Sequence, residues 1–157
     1  MRWSGNGDVT AAVSAAELLP GLGNTDTSGC NAADFAGFAA GNIALVQRGS
    51  CAIAVKATNA RTAGASDALI SSPGNADPVD RLGLLFGSLG EAFTLDMPAV
   101  GLPYALGVEL AGTPGLTMRM EVDLDDPIRP VPVPAPAGLP PLGIGLAALA
   151  NAHGRRG

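Results

Sequence analysis

The side chains able to do acid–base, nucleophilic or metal chemistry are few here, and their spacing does not assemble a reaction centre. The one histidine is His153, close to the C-terminal end. A Ser-His-Asp or Cys-His relay needs an imidazole held by a folded core. His153 follows a Pro- and Ala-rich stretch and reads as a solvated tail residue. Cys30 and Cys51 are the only cysteines, 21 positions apart. Without a core histidine they do not make a zinc site. Cysteine arithmetic allows one disulfide or two buried free thiols. Asp123, Asp125 and Asp126 could attract a hard cation. They lack the glycine turn and distal glutamate of a calcium loop, so a solvated domain edge explains them better. Asp77 and Asp80 flank one turn, and Glu91 and Asp96 another. Paired carboxylates can do general acid–base work, but the Asp-Pro and Gly-Glu contexts account for these as turn formers. Gly87-Ser88-Leu89-Gly90 and Gly143-Ile144-Gly145 lack the lysine and spacing of a phosphate loop. No catalytic residue, no metal and no cofactor are expected.

Bulk composition narrows the partners. The chain has 157 residues, 47% of them hydrophobic and 15% charged, which suits one folded domain with its own core. A net charge of -5 with only nine Lys plus Arg argues against nucleic acid, whose phosphates need a basic surface. It equally disfavours an anionic membrane face. Lys56 is the sole lysine beside eight arginines, a bias of the kind a GC-rich bacterial genome imposes. Met1 to Asp8 carries no basic stretch followed by an apolar run, so no signal peptide is visible.

The elements that would position these side chains follow from periodicity. Residues 9–19 could form a short helix or strand. Residues 31–41 read as a loop or helical turn containing Asp34 and Phe35. Ile43-Ala44-Leu45-Val46 is a continuous apolar run between Gly41-Asn42 and Gln47-Arg48-Gly49, as a strand buried on both faces requires. Ser50 is placed to cap a helix. In that helix Ile53, Ala57, Ala60 and Gly64 share one face, and Gly64 suits a left-handed stop. Ala68 to Ser71 is the next strand, making a strand–helix–strand unit. Pro73-Gly74-Asn75 and Asp77-Pro78 mark a surface loop. Residues 81–95 read as part strand, part loop. Pro98 to Leu102 is a strand, and Pro103 opens a short helix over 104–110. Leu116, Met118, Met120 and Val122 alternate with Thr117, Arg119 and Glu121, the pattern of a half-exposed antiparallel strand. Seven prolines in 127–141 favour an extended linker. The expected organisation is an N-terminal segment (1–24) at the domain edge or in a longer parent. A domain over 25–126, the linker 127–141 and a short apolar tail with terminal arginines (142–157) follow.

Within 29–122 the residues meet a family. Gly29-Cys30, the run Gly41-Asn42-Ile43-Ala44-Leu45-Val46-Gln47-Arg48-Gly49-Ser50-Cys51, then Lys56, Asn59-Ala60 and Ala63-Gly64-Ala65 closely resemble the core of the protease-associated (PA) domain. Ala68 to Ser71, Met97-Pro98-Ala99-Val100 and Gly107 to Leu110 match its later elements. The family usually has Phe where Ile53 stands, and 72–95 matches poorly. The resemblance implies an α+β fold, a β-sandwich or open barrel with two or more short flanking helices. It also implies no catalysis and a disulfide between Cys30 and Cys51, since members often pair these positions.

A non-catalytic protein- or peptide-interaction module of an exported bacterial protein is the resulting expectation. Its partner would be a protein or peptide, with a peptidase domain among the candidates. Alternatives are a fragment of a secreted peptidase whose catalytic domain lies elsewhere, and a structural surface-display protein. Element ends concentrate binding residues, so Arg48, Gly49 and Ser50 with Asn75 and Asp77 of the next loop are the candidate contacts. Arg48 could clamp a carboxylate or bond nearby carbonyls. Val131-Pro132-Val133-Pro134-Ala135, an apolar stretch and Arg155-Arg156 resemble a degenerate PEP-CTERM/VPLPA-type sorting signal. That stretch is shorter than the roughly 20 residues needed to span a bilayer. Membrane association is expected at most through this tail, and a secreted or envelope location is implied.

Overall fold

The computed structural model describes residues 1, 4–18, 26–74, 81–93 and 96–123. They form five strands, β1 (Gly7–Ala15), β2 (Ile43–Gln47), β3 (Asp67–Ser71), β4 (Ala99–Leu102) and β5 (Thr117–Val122), with helices α1 (Ile53–Thr62) and α2 (Tyr104–Ala111). A single 3-10 turn spans Ala32–Phe35. The strands join in one curled mixed sheet, a half-barrel ordered β4-β3-β2-β1-β5. The open-barrel form of the expected α+β fold is what the described residues adopt, without the second sheet of a sandwich.

β2 pairs in parallel with β3, and β3 with β4. β1 divides its pairing. Val13 to Ala15 run parallel to Ile43 to Leu45, while Gly7 to Ala12 run antiparallel to β5. The first strand is therefore interior to the sheet. Its alternation of exposed and half-buried residues is that of a strand with one wet face.

All five residues of β2 and all five of β3 are buried because each sheet face carries a helix. Ala44, Val46, Ile70 and Ala60 of α1 pack with Phe35. On the other face Ile43, Leu45 and Leu69 meet Leu110 of α2, Val13 and Met120. Small side chains bring the helices close. Ala57 and Ala60 are fully buried, and a side-chain carbon on Gly107 would fall 2.4 Å from Ser71 Cβ. Gly64 (φ +90) ends α1 as expected. The N-cap of α1 is Ala52, not Ser50, and it makes no side-chain capping bond. The stretch 81–93 contributes only an isolated bridge at Ser88, so the strand expected there is absent from the described residues.

One buried group conflicts with this core. Asp67 opens β3 fully buried, and neither carboxylate oxygen has a hydrogen-bond partner among the described residues. Burial pushes its carboxyl up to about 6 from 3.8. Because the folded value lies above the unfolded one, its protonated form suits the fold. Stability is full below about pH 4, declines as pH rises towards 6, and stays lower above. Asp67→Asn mimics the protonated acid. Its urea midpoint is expected to match the parent near pH 4 and exceed it at pH 7.5; equal midpoints at both pH values would refute this account.

Candidate functional site

The turn after β2 is built by backbone contact with residues 26–30. Ser50 N–H donates to the Asp26 carbonyl at 2.9 Å. A side-chain carbon on Gly49 would lie 1.8 Å from that same oxygen, so only glycine allows the approach. Ser28 Oγ accepts from Gln47 N–H at 2.9 Å. Cys30 and Cys51 are joined in a disulfide with Cα atoms 5.9 Å apart.

Lys56, reaching in from α1, completes this corner. Its ammonium is fully buried and donates to the Ser28 carbonyl at 2.5 Å, and it lies 3.5 Å from Cys30 Sγ. Burial pulls its pKa below the ordinary value, against the opposing pull of Asp26 and Asp34. Asn59 Nδ2 adds a bond to the Gly29 carbonyl at 3.0 Å. The sole lysine is thus a structural post under the turn.

Beyond the turn, the carboxyl ends of β2 and β3 open into a cavity of about 320 Å³. Arg48, Ser72, Arg81, Leu84 and Phe86 are among the residues that line it. Arg48 is held through its backbone, whose N–H donates to the Ser71 carbonyl at 2.9 Å. Among the described residues its guanidinium has no carboxylate partner. Burial and the nearby charge of Arg81 both pull its pKa down, as expected for two cations sharing one hollow. Arg81 Nη1 is buried without a hydrogen bond.

The strap 81–87 forms the far wall. It is fixed by Tyr104 N–H to the Leu82 carbonyl (3.0 Å) and by Ser72 Oγ to the Gly83 carbonyl (2.9 Å). Leu85 points inward, and a side chain on Gly101 would collide with its carbonyl oxygen at 2.0 Å. Leu84 and Phe86 alternate outward, and Phe86 is 85% exposed. A large exposed aromatic beside two cations without a carboxylate partner among the described residues marks an interaction surface. A second cavity of about 440 Å³ adjoins, sharing Leu84, Leu85 and Phe86 as its wall.

Of the residues singled out from sequence, Arg48 lines the first cavity. Gly49 and Ser50 shape the turn beneath it. Asn75 and Asp77 lie outside the described residues, as do the linker, the tail resemblance and His153. Arg81, Leu84 and Phe86 were not foreseen. Their only sequence signal is the consecutive apolar run Leu84-Leu85-Phe86, which names no partner. Among the described residues no group of acidic, histidine and cysteine side chains could hold a metal ion. Nor is any described helix long and apolar enough to cross a membrane.

A half-barrel with a helix on each face and a disulfide-tied Arg-Gly turn at the carboxyl end of its strands defines a domain of the protease-associated class. The chain belongs to the PA domain family, whose profile matches residues 9–110. Two curated relatives, aminopeptidases of Pseudomonas aeruginosa strains UCBPP-PA14 and PAO1, are each 47% identical over 118 residues. The match covers 75% of this chain and 22% of each relative, so the chain spans less than a quarter of their length. Among solved structures, BSAP, a zinc aminopeptidase from Bacillus subtilis, is similar with a TM-score of 0.52 and 26% identity. That match covers 73% of this chain and 24% of the enzyme.

Proposed function

We propose that this chain is the non-catalytic PA domain of an exported aminopeptidase, where it offers a peptide- or protein-contacting surface beside the catalytic domain. The observation that carries this reading is the 47% identity confined to 22% of an aminopeptidase's length. The strand pairing supports it. Gly7 pairs with Val122 across β1 and β5, so the backbone enters and leaves the sheet at one point. Such closeness lets a domain sit within or beside a host domain. The surface that would face substrate or host is the Arg48 end, where two cations without a carboxylate partner among the described residues coincide with exposed apolar side chains.

The test is mass spectrometry of the protein captured from its native host with an antibody to this domain. A band larger than 15.5 kDa that yields peptides of a peptidase domain, recovered outside the cytoplasm, is the expected result. A cytoplasmic band of the chain's own mass would overturn it. The isolated 157-residue protein is expected not to hydrolyse aminoacyl-nitroanilides with or without added zinc, and turnover abolished by chelation would overturn the non-catalytic role.

A further inference from the structure

We propose that the cavity between Arg48 and Arg81 receives the free C-terminal carboxylate of a peptide whose last side chain is apolar. This rests on the peptide-contacting role above and names the ligand of that surface. Two guanidiniums share the cavity, and neither has a carboxylate partner among the described residues. They repel each other, and one Arg81 nitrogen is buried without a bond. An anion placed between them removes the repulsion and accepts bonds from both forks, the charge-assisted geometry at which arginine excels.

The other cations among the described residues offer no such pair. Lys56 is spent beneath the turn, Arg119 is held by Asp8 and Glu121 at 2.7 and 3.1 Å, and Arg61 stands alone and exposed in the last turn of α1. The ends of parallel strands are also where open sheets take ligands.

The apolar half of the ligand follows from the shared wall. Leu84 and Phe86 line both the cationic cavity and the adjoining, more apolar one. A group that fills both must carry its anion and its apolar side chain on neighbouring atoms. The last residue of a peptide does so, because carboxylate and side chain leave the same Cα. Ser72 donates its hydroxyl proton to the Gly83 carbonyl, so the charged bonds come from the two arginines.

A side-chain carboxylate within a peptide has the same chemistry, and the experiment separates the two sources. Fluorescence anisotropy is measured on the full chain with N-terminally labelled Ala-Ala-Leu-Phe as free acid, as C-terminal amide, and as an amide carrying an internal Glu. The acid is expected to bind at least about tenfold more tightly than either amide, one such charged bond being worth that much. Arg81→Gln should remove this preference and Arg81→Lys keep part of it. Phe86→Ser should weaken the Phe-ending acid more than one ending in Ala. Circular dichroism confirms that each variant is folded. Equal binding of the Glu-containing amide and the acid would overturn the terminal assignment. Peptide binding indifferent to both the terminus and Arg81 would overturn the site while leaving the peptide-contacting role intact. No binding by any peptide would overturn both.

Discussion

Replacing Cys30 and Cys51 together by alanine is expected to lower stability by about 3 kcal/mol, the loop-entropy value for a bridge closing a loop of this size. The bridge spans 21 positions, enclosing the 3-10 turn and all of β2. For a domain of this size the loss corresponds to a fall of roughly 10 °C in Tm. Its effect should exceed chain entropy locally, because the bridge presses 26–30 against the Arg48–Cys51 turn. Without it, the close approach of Gly49 to Asp26 rests on hydrogen bonds alone. Urea denaturation of the double variant, and of the parent held in reductant, checks this. The two midpoints should agree with each other and lie well below that of the oxidised parent. A reduced parent as stable as the oxidised one would show that the turn needs no tie. The Arg48 cavity should then keep its peptide affinity on reduction; the expected result is that it weakens.

Lys56→Met is expected to cost about 1.5–3 kcal/mol, the range for a buried hydrogen bond to a charged group. Methionine retains most of the stem's volume, so packing against α1 and Gly29 survives. The Ser28 carbonyl, however, loses its donor, and Asp26 and Asp34 lose the cation that faces them. The variant also reports on pH. Folding lowers the lysine's pKa below 10.5, so charging it is less favourable in the fold than in the unfolded chain. That penalty is full below the folded pKa and lifts as pH rises towards 10.5. The parent should gain a component of stability across this alkaline window, and Lys56→Met should lack it. Combined with loss of the disulfide, the effects should not add, because Nζ and Cys30 Sγ are in contact. Additive losses would mean that the lysine and the bridge support different parts of the turn.

Local pattern made much of this fold legible. The continuous apolar run at Ile43 and the even alternation from Leu116 each state how many faces their strand buries. Ala57, Ala60 and Gly64 mark both the face and the end of α1, and Pro103 marks the entry to α2. Each signal lies within one element, where periodicity and turn chemistry act directly. The family resemblance rested on the same stretch and implied the Cys30–Cys51 pair.

What failed depended on neighbours far away in the chain. β1 reads ambiguously because its last three residues pair with β2 and its first six with β5, a division that its own residue pattern does not announce. Ser50 is a good capping residue by type, but its backbone bonds to Asp26 and the helix starts three residues later. Asp67 looks like an ordinary strand-edge acid, and only the folded sheet shows it fully buried beside Ile43.

The candidate site divides in the same way. Sequence alone determined that Arg48 stands at the end of a continuous apolar run that reads as a buried strand, while the contact that demands glycine at Gly49 came from the structure. Only the tertiary structure brought Arg81 beside Arg48 and set Leu84 and Phe86 along the same wall. The 81–87 strap is held there by backbone bonds to Gly74 and Tyr104, by the Ser72 hydroxyl and by the missing side chain of Gly101. The backbone bonds use groups common to nearly every residue, so they leave little trace in residue type.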